Sequence, residues 1–310
     1  MTGKIVILTG GVGGAKLVLG LTRILPPDRI TAIVNTGDDF EHLGLRISPD
    51  IDTLLYTLAH KANEQQGWGR KDETWRFMDA LRSLGGEDWF LLGDGDLAIH
   101  VLRTLRSAKG ERLSAITRDF AGAWGVETTI LPMTDDKVAT FVTTDEGDLS
   151  FQHYFVERQC SPAVRKIRFE GAASATPAPG VLEALSNEDT AAIFIAPSNP
   201  YLSVDPILSI PGVREALAKA KAPVVAISPI IGGKAVKGPT AKLMAEMGLI
   251  VTPATIALHY AGLIDALLVD ERDTGDIAVP TASTDTLMIT LDDRTRVARA
   301  ALESARQVSQ

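Results

Sequence analysis

Cysteine is almost missing from this sequence: among 310 residues there is one, Cys160. A lone thiol cannot close an internal disulfide or build a cysteine-rich structural metal site, which fits a reducing compartment. None of the five histidines stands at recognisable ligand spacing from it or from another histidine. Basic clusters are missing too. The formal net charge is −8, from 31 Lys and Arg against 39 Asp and Glu, and no stretch offers the footprint that duplex nucleic acid requires. No run of about 18 apolar residues occurs, and Met-Thr-Gly-Lys leads straight into Ile-Val-Ile-Leu without a leader-type segment. The expectation is a cytoplasmic protein that engages neither membrane nor nucleic acid and holds anionic ligands through local groups.

What is present is an α/β pattern. At 45% hydrophobic residues the chain can bury the core of one large or two modest domains. Residues 4–9 form an apolar run suited to a buried parallel strand. Leu17, Leu21, Ile24 and Leu25 then follow at helical spacing until Pro26-Pro27, and residues 30–35 give a second strand. This β-loop-α-β unit predicts a right-handed crossover and a parallel sheet. Strand signals vanish over about 48–122, where Ser48 reads as an N-cap with Pro49 at the first helical position. Further helical faces are Ile51, Leu54, Leu55 and Leu58; Trp75, Met78 and Leu81; Leu97, Val101, Leu102 and Leu105; and Leu113, Ile116 and Phe120. Residues 46–122 are accordingly read as a helical insertion subdomain, and 1–45 with 123–310 as the main, discontinuous domain. A hairpin is expected from 138–143 and 149–156 around Asp145-Glu-Gly-Asp. Strands at 191–196, 223–228, 249–252 and 266–269 alternate with helices at 205–219 and 240–247, ahead of a terminal helix from about 294.

The loops after these strands carry the chemistry. Thr9-Gly-Gly-Val-Gly-Gly-Ala-Lys16 joins the first strand to the first helix, where Gly10, Gly11, Gly13 and Gly14 permit close approach and the helix N-terminus favours an anion. It is not a Walker loop, because Lys16 lacks the following serine or threonine, and it lacks the third glycine of a dinucleotide fingerprint. A ligand-free strand-helix turn is the plain alternative. Asp38 and Asp39 follow the second strand, at the edge where open α/β sheets bind ligands. Asp38 suits a hard cation such as magnesium, which takes one or two carboxylates together with substrate phosphates. Asp50 and Asp52 sit in the first turn of the next helix, where complementing the helix dipole would also explain them. Two helical positions differ by about 200°, so one acid can face a metal and the other a different ligand. Ser198, Asn199, Lys234 and Lys237 follow later strands and are candidates for phosphate contact, with ordinary turn chemistry as the alternative. Gly93-Asp-Gly-Asp96 reads as a cap or ligand loop. The Gly67 to Trp75 segment, with two tryptophans, reads as a helix start or an aromatic platform. His42, nearest the acidic loop, reads as structural.

In order along the chain, Gly10-Gly-Val-Gly-Gly-Ala-Lys16, Asn35-Thr-Gly-Asp-Asp39, Ser48-Pro-Asp-Ile-Asp-Thr53, Gly67-Trp-Gly69, Leu131-Pro-Met-Thr-Asp-Asp136, Ala196-Pro-Ser-Asn-Pro200 and Ser228-Pro-Ile-Ile-Gly232 resemble the 2-phospho-L-lactate transferase (CofD) family. The resemblance implies a Rossmann-like sheet in a three-layer α/β/α arrangement with a helical insertion, and a homodimer dependent on magnesium (Mg2+). It implies transfer of a phospho-carboxylic acid group from a guanosine diphosphate-linked donor to the deazaflavin alcohol Fo, giving GMP and a precursor of coenzyme F-420. In that frame Asp38 and Asp52 would hold magnesium, and Asp50 would orient the Fo hydroxyl or join the metal shell. The 10–16 loop with Thr36 would hold substrate, and Ser198, Asn199 and Lys234 the donor.

One departure stands out: the family usually reads Gly-Asp-Arg-Asp where this chain has Gly93-Asp-Gly-Asp96. A substrate-contacting arginine is therefore missing at Gly95. Two other readings remain. A regulatory nucleotide-sugar-binding protein of the gluconeogenesis factor type shares the glycine loop but carries an Asp-Asp-Gly-Gly-Ser-Ser-Gly segment unlike Asp38-Asp-Phe-Glu-His. A nicotinamide-dependent dehydrogenase is disfavoured by the missing third glycine and by Asn35 where a ribose-binding acid would sit.

Overall fold

The computed structural model describes residues 2–236, 238–273 and 275–309. The run Ile5-Val-Ile-Leu8 decides the architecture, because side chains alternate across a strand. Ile5 and Ile7 enter one apolar core while Val6 and Leu8 enter another, on the opposite face of the sheet. Both faces are therefore covered, as parallel sheets require. Each fully buried Ile or Leu here contributes about 1.5–3 kcal/mol.

The sheet has seven strands, in the spatial order Thr281–Thr284, Ala266–Asp270, Val224–Ile227, Thr190–Ile195, Lys4–Thr9 (β1), Ile30–Val34 (β2) and Thr129–Pro132. Every neighbouring pair is parallel. By sequence this is the doubly wound order of a Rossmann-like fold with one further edge strand, and the direction of winding reverses between β1 and Thr190–Ile195. Helix Gly11–Thr22 (α1), helix Pro49–Leu58 (α2) and helix Leu291–Val308 pack on one face. Helices Val181–Ser186, Val213–Ala218 and Pro253–His259 pack on the other. The α/β/α expectation is met.

Within 46–122, α2 places Ile51, Leu54 and Leu55 in the main core, whereas Met78 and Leu92 join Ile47 in a smaller separate cluster. Among the described residues no helix is long and apolar enough to cross a membrane.

Several local expectations are corrected. The hairpin pairs Ala139–Thr144 with Gly147–Ser150, but the chain then coils through His153–Glu157 with Phe151 and Tyr154 buried at helical spacing, and Val164–Glu170 supplies a third strand. Residues 249–252 form no strand. Ile250 is 75% exposed, and Thr252 instead caps helix Pro253–His259 by accepting the Thr255 N–H. The helix expected over 205–219 is broken into Asp205–Leu208 and Val213–Ala218, between which Pro211 and left-handed Gly212 turn the chain. A hairpin of Phe40–His42 and Leu45–Ile47 was not foreseen, because its turn puts Leu43 at a φ of 52°. Leucine gives no turn signal in a sequence.

Candidate active site

The carboxyl ends of β1, β2 and Thr190–Ile195 converge where the sheet reverses its winding, which is where such sheets bind ligands. Gly11 begins α1 with a φ of 65°, a left-handed conformation that glycine adopts without steric strain. Gly13 is required for closeness: a Cβ there would lie 2.6 Å from the Pro197 carbonyl oxygen. The two loops are stitched by Ser198, whose Oγ accepts the Gly10 N–H at 3.3 Å and donates to the Gly10 carbonyl at 2.7 Å. Asn199 Oδ1 accepts the N–H groups of Tyr201 and Leu202, while its buried Nδ2 has no partner among the described residues.

Asp50 reaches into this junction from the first turn of α2. Its Oδ1 accepts the Gly11 N–H at 2.7 Å and its Oδ2 accepts the Asn35 Nδ2 at 3.0 Å. Asn35 Oδ1 in turn accepts the Gly37 N–H, which fixes the turn carrying Asp38 and Asp39. Ser48 occupies the N-cap position but does not cap; its hydroxyl donates to Asp39 Oδ2 at 2.7 Å. The acidic turn is thus tied to the helix that follows it.

Burial sets the electrostatics. It raises the Asp38 carboxyl well above the ordinary range, the charge of Asp50 raises it further, and the Asn35 side chain opposes the shift. Asp39 is raised chiefly by burial, against the Ser48 hydroxyl and the Arg103 charge. Asp50 is pushed by burial up to about 6, even with bonds from Asn35 and Gly11 favouring the anion. Asp38 Oδ1, Asp39 Oδ1 and Thr36 Oγ1 are buried without a hydrogen-bond partner among the described residues. Unsatisfied buried carboxylate oxygens of this kind are stabilised by a proton or a cation. Among the described residues no group of three or more acidic, histidine or cysteine side chains forms a ready-made cage. A cation completed by substrate phosphate needs only one or two carboxylates, and Asp38 beside Asp50 fits that role.

Asp52 stands elsewhere. Its carboxylate is gripped by the buried Arg103, Nη1 to Oδ2 at 3.1 Å and Nη2 to Oδ1. The sequence expectation paired Asp38 with Asp52 at the metal; in the structure the charge that bears on Asp38 is that of Asp50. Arg103 escaped sequence reasoning because helix Asp96–Ala108 is rotated from the face chosen. Val101, Leu102 and Leu105 are about half exposed, while Ile99, His100 and Arg103 point inward. The available signal was the i, i+1, i+4 spacing of Ile99, His100 and Arg103. His100 Nε2 meets Asp96 at 2.9 Å, and Asp96 accepts the Tyr56 hydroxyl, so a polar network runs behind the acids.

Of the remaining sequence candidates, Lys16 Nζ donates to the Met288 carbonyl at 2.6 Å, and Lys234 is exposed on the short ribbon of Ile230–Ile231 and Lys234–Ala235. Lys237 lies outside the described residues.

Residues 5–306 match the family described as "2-phospho-L-lactate transferase CofD". A phosphoenolpyruvate transferase of Streptomyces griseus subsp. griseus is 42% identical over 322 residues, covering 98% of this chain and 99% of that one. A 2-phospho-L-lactate transferase of Methanosarcina mazei is 40% identical over 271 residues, covering 87% and 88%. Among solved structures, a member of the UPF0052 family from Bacillus halodurans superposes with a TM-score of 0.62 at 18% identity, covering 97% of this chain and 99% of that one. That last likeness concerns the fold alone.

Proposed function

This chain belongs to the 2-phospho-L-lactate transferase family, and from that premise we propose that it transfers a phospho-carboxylic acid group from a guanosine diphosphate-linked donor to the deazaflavin Fo. The group is phospholactyl, phosphoenolpyruvyl or phosphoglyceryl; the products are GMP and a coenzyme F-420 precursor. The observation that carries the reading is the placement of Asp38 and Asp50 at the sheet's reversal point, beside a glycine loop able to admit phosphate. A cytoplasmic homodimer is part of the same proposal.

In the reaction, the terminal ribityl hydroxyl of Fo attacks the phosphorus that bears the acid. A new P–O bond forms to Fo, the anhydride P–O bond to the GMP phosphate breaks, and GMP departs with the bonding electrons. The hydroxyl proton needs an acceptor, and Asp50, with its carboxyl at about 6, is largely ionised at neutral pH yet basic enough to take it. With the Gly10 and Gly11 N–H groups given to Ser198 and Asp50, the remaining N–H groups of the first turn of α1 and the Asn199 Nδ2, which has no partner among the described residues, are suited to hold donor oxygens. Thr36 Oγ1 is a further hydroxyl without a partner among the described residues. Magnesium, held by Asp38, whose buried Oδ1 has no partner among the described residues, would supply charge neutralisation at the diphosphate.

The test is to incubate the protein with Fo, magnesium and each guanylylated donor in turn, the enolpyruvyl donor first because of the Streptomyces relative's name. GMP and a product of Fo mass plus the phospho-acid are expected. No product from any donor, together with a rise in melting temperature on adding a uridine diphosphate sugar, would favour the regulatory reading instead.

A further inference from the structure

Gly37 is glycine for want of room. It is not among the left-handed glycines, yet a Cβ on it would lie 2.8 Å from Thr140 Oγ1, 3.0 Å from Asn35 Oδ1 and 3.0 Å from the Pro206 Cβ. Thr140 belongs to Ala139–Thr144 of the three-stranded sheet, a lobe whose apolar cluster is Val142, Phe151, Tyr154 and Val164 with Leu202 and Leu243. Its N–H donates to the Gly37 carbonyl at 2.7 Å. From the same lobe the buried Gln152 donates through Nε2 to the Asp38 carbonyl at 3.2 Å. The turn that carries Asp38 is thus held by Asn35 from the main sheet and by two further residues from the lobe.

Thr140 is 2% exposed, and its hydroxyl closes no hydrogen bond of ordinary geometry among the described residues. Asp38 Oδ1 is orphaned in the same way. A buried hydroxyl without a partner costs about 1–3 kcal/mol, and a valine would fill the position without that cost. The hydroxyl has a task nonetheless: against the burial that raises the Asp38 carboxyl, the side chains of Asn35 and Thr140 both favour the anion. A hydroxyl proton given to a carboxylate fixes its orientation and leaves lone pairs for a cation.

We infer that Thr140 is a positioning residue: its hydroxyl orients the Asp38 carboxylate toward a divalent cation, while Gln152 fixes the same residue by its carbonyl. The inference rests on the reading of Asp38 as the ligand of that cation.

Magnesium titrated into the full chain at about pH 8, with the melting temperature as readout, tests it without turnover. The variants are Thr140→Val, Thr140→Ser and Gln152→Met. Thr140→Val deletes a buried hydroxyl that has no partner, so stability in a chelator is kept. The magnesium midpoint should rise about tenfold in Thr140→Val and should rise in Gln152→Met as well, with Thr140→Ser close to wild type. A Thr140→Val midpoint equal to that of the wild type, or a Thr140→Ser midpoint as high as that of Thr140→Val, overturns the inference. A wild type whose melting temperature ignores magnesium while GMP still forms overturns it too, and leaves the transfer reading standing. The expected midpoints without product from any donor would sink the transfer reading and leave the role of Thr140 intact.

Discussion

Arg103 and Asp52 form a buried ion pair in which one guanidinium serves both oxygens of one carboxylate. The same cation acts on Asp39. The acidic turn and the first turn of α2 are thereby tied to a single charge from helix Asp96–Ala108.

Removing one partner alone leaves the other charged and buried. Arg103→Met and Asp52→Asn should each lower stability by about 3–5 kcal/mol. The double variant should be less unstable than the sum, which a double-mutant cycle in urea measures. Additive losses would mean that the pair does not couple.

Stability should also depend on pH near neutrality. Burial raises the carboxyls of Asp38, Asp39 and Asp50 in the folded chain, Asp50 to about 6 from an ordinary value of 3.8. Below about pH 4 both folded and unfolded chains carry these protons, so nothing opposes folding. As pH rises above about 4 the folded chain keeps protons that the unfolded chain has lost, so stability falls from there until the folded values, about 6 for Asp50, are passed. In a chelator, the melting temperature should therefore drop between about pH 4.5 and pH 7. Magnesium should reverse the drop at pH 8, and Asp38→Asn should flatten it. The depressed carboxyls of Asp96 and Asp293 lose their contribution only at more acid pH and do not offset this trend. A melting temperature that stays level over the window would refute the buried-acid picture.

Gly13→Ala brings a methyl to 2.6 Å from the Pro197 carbonyl oxygen, and backbone on both sides limits the relief. The loss of stability should be about 1–3 kcal/mol, and donor KM should rise more than acceptor KM. Steady-state kinetics with each substrate varied in turn separates the two; equal rises would place the loop's role outside donor binding.

The parallel sheet and its reversal point were legible because Ile5 to Leu8 and Ile30 to Val34 are continuous apolar runs beside a glycine loop. Asp38 and Asp50 were legible for the same local reason: they follow strand ends and helix starts. Asp52's partner was not, because Arg103 lies 51 positions away and only packing brings the two together. Helix Asp96–Ala108 misled because its exposed leucines outnumber the inward-facing Ile99. Leu249 and Ile250 misled because a short apolar run has no period that separates a strand from a loop end.

The most direct test of the central claim is to count GMP and phosphorylated Fo products by mass in the wild type and in Asp38→Asn, with magnesium and a reactive donor. One GMP per product molecule is expected from the wild type. In Asp38→Asn turnover should fall by about a hundredfold or more, with melting temperature at pH 6 retained. Near-normal turnover in that variant, or GMP released without phosphorus transferred to Fo, would contradict it.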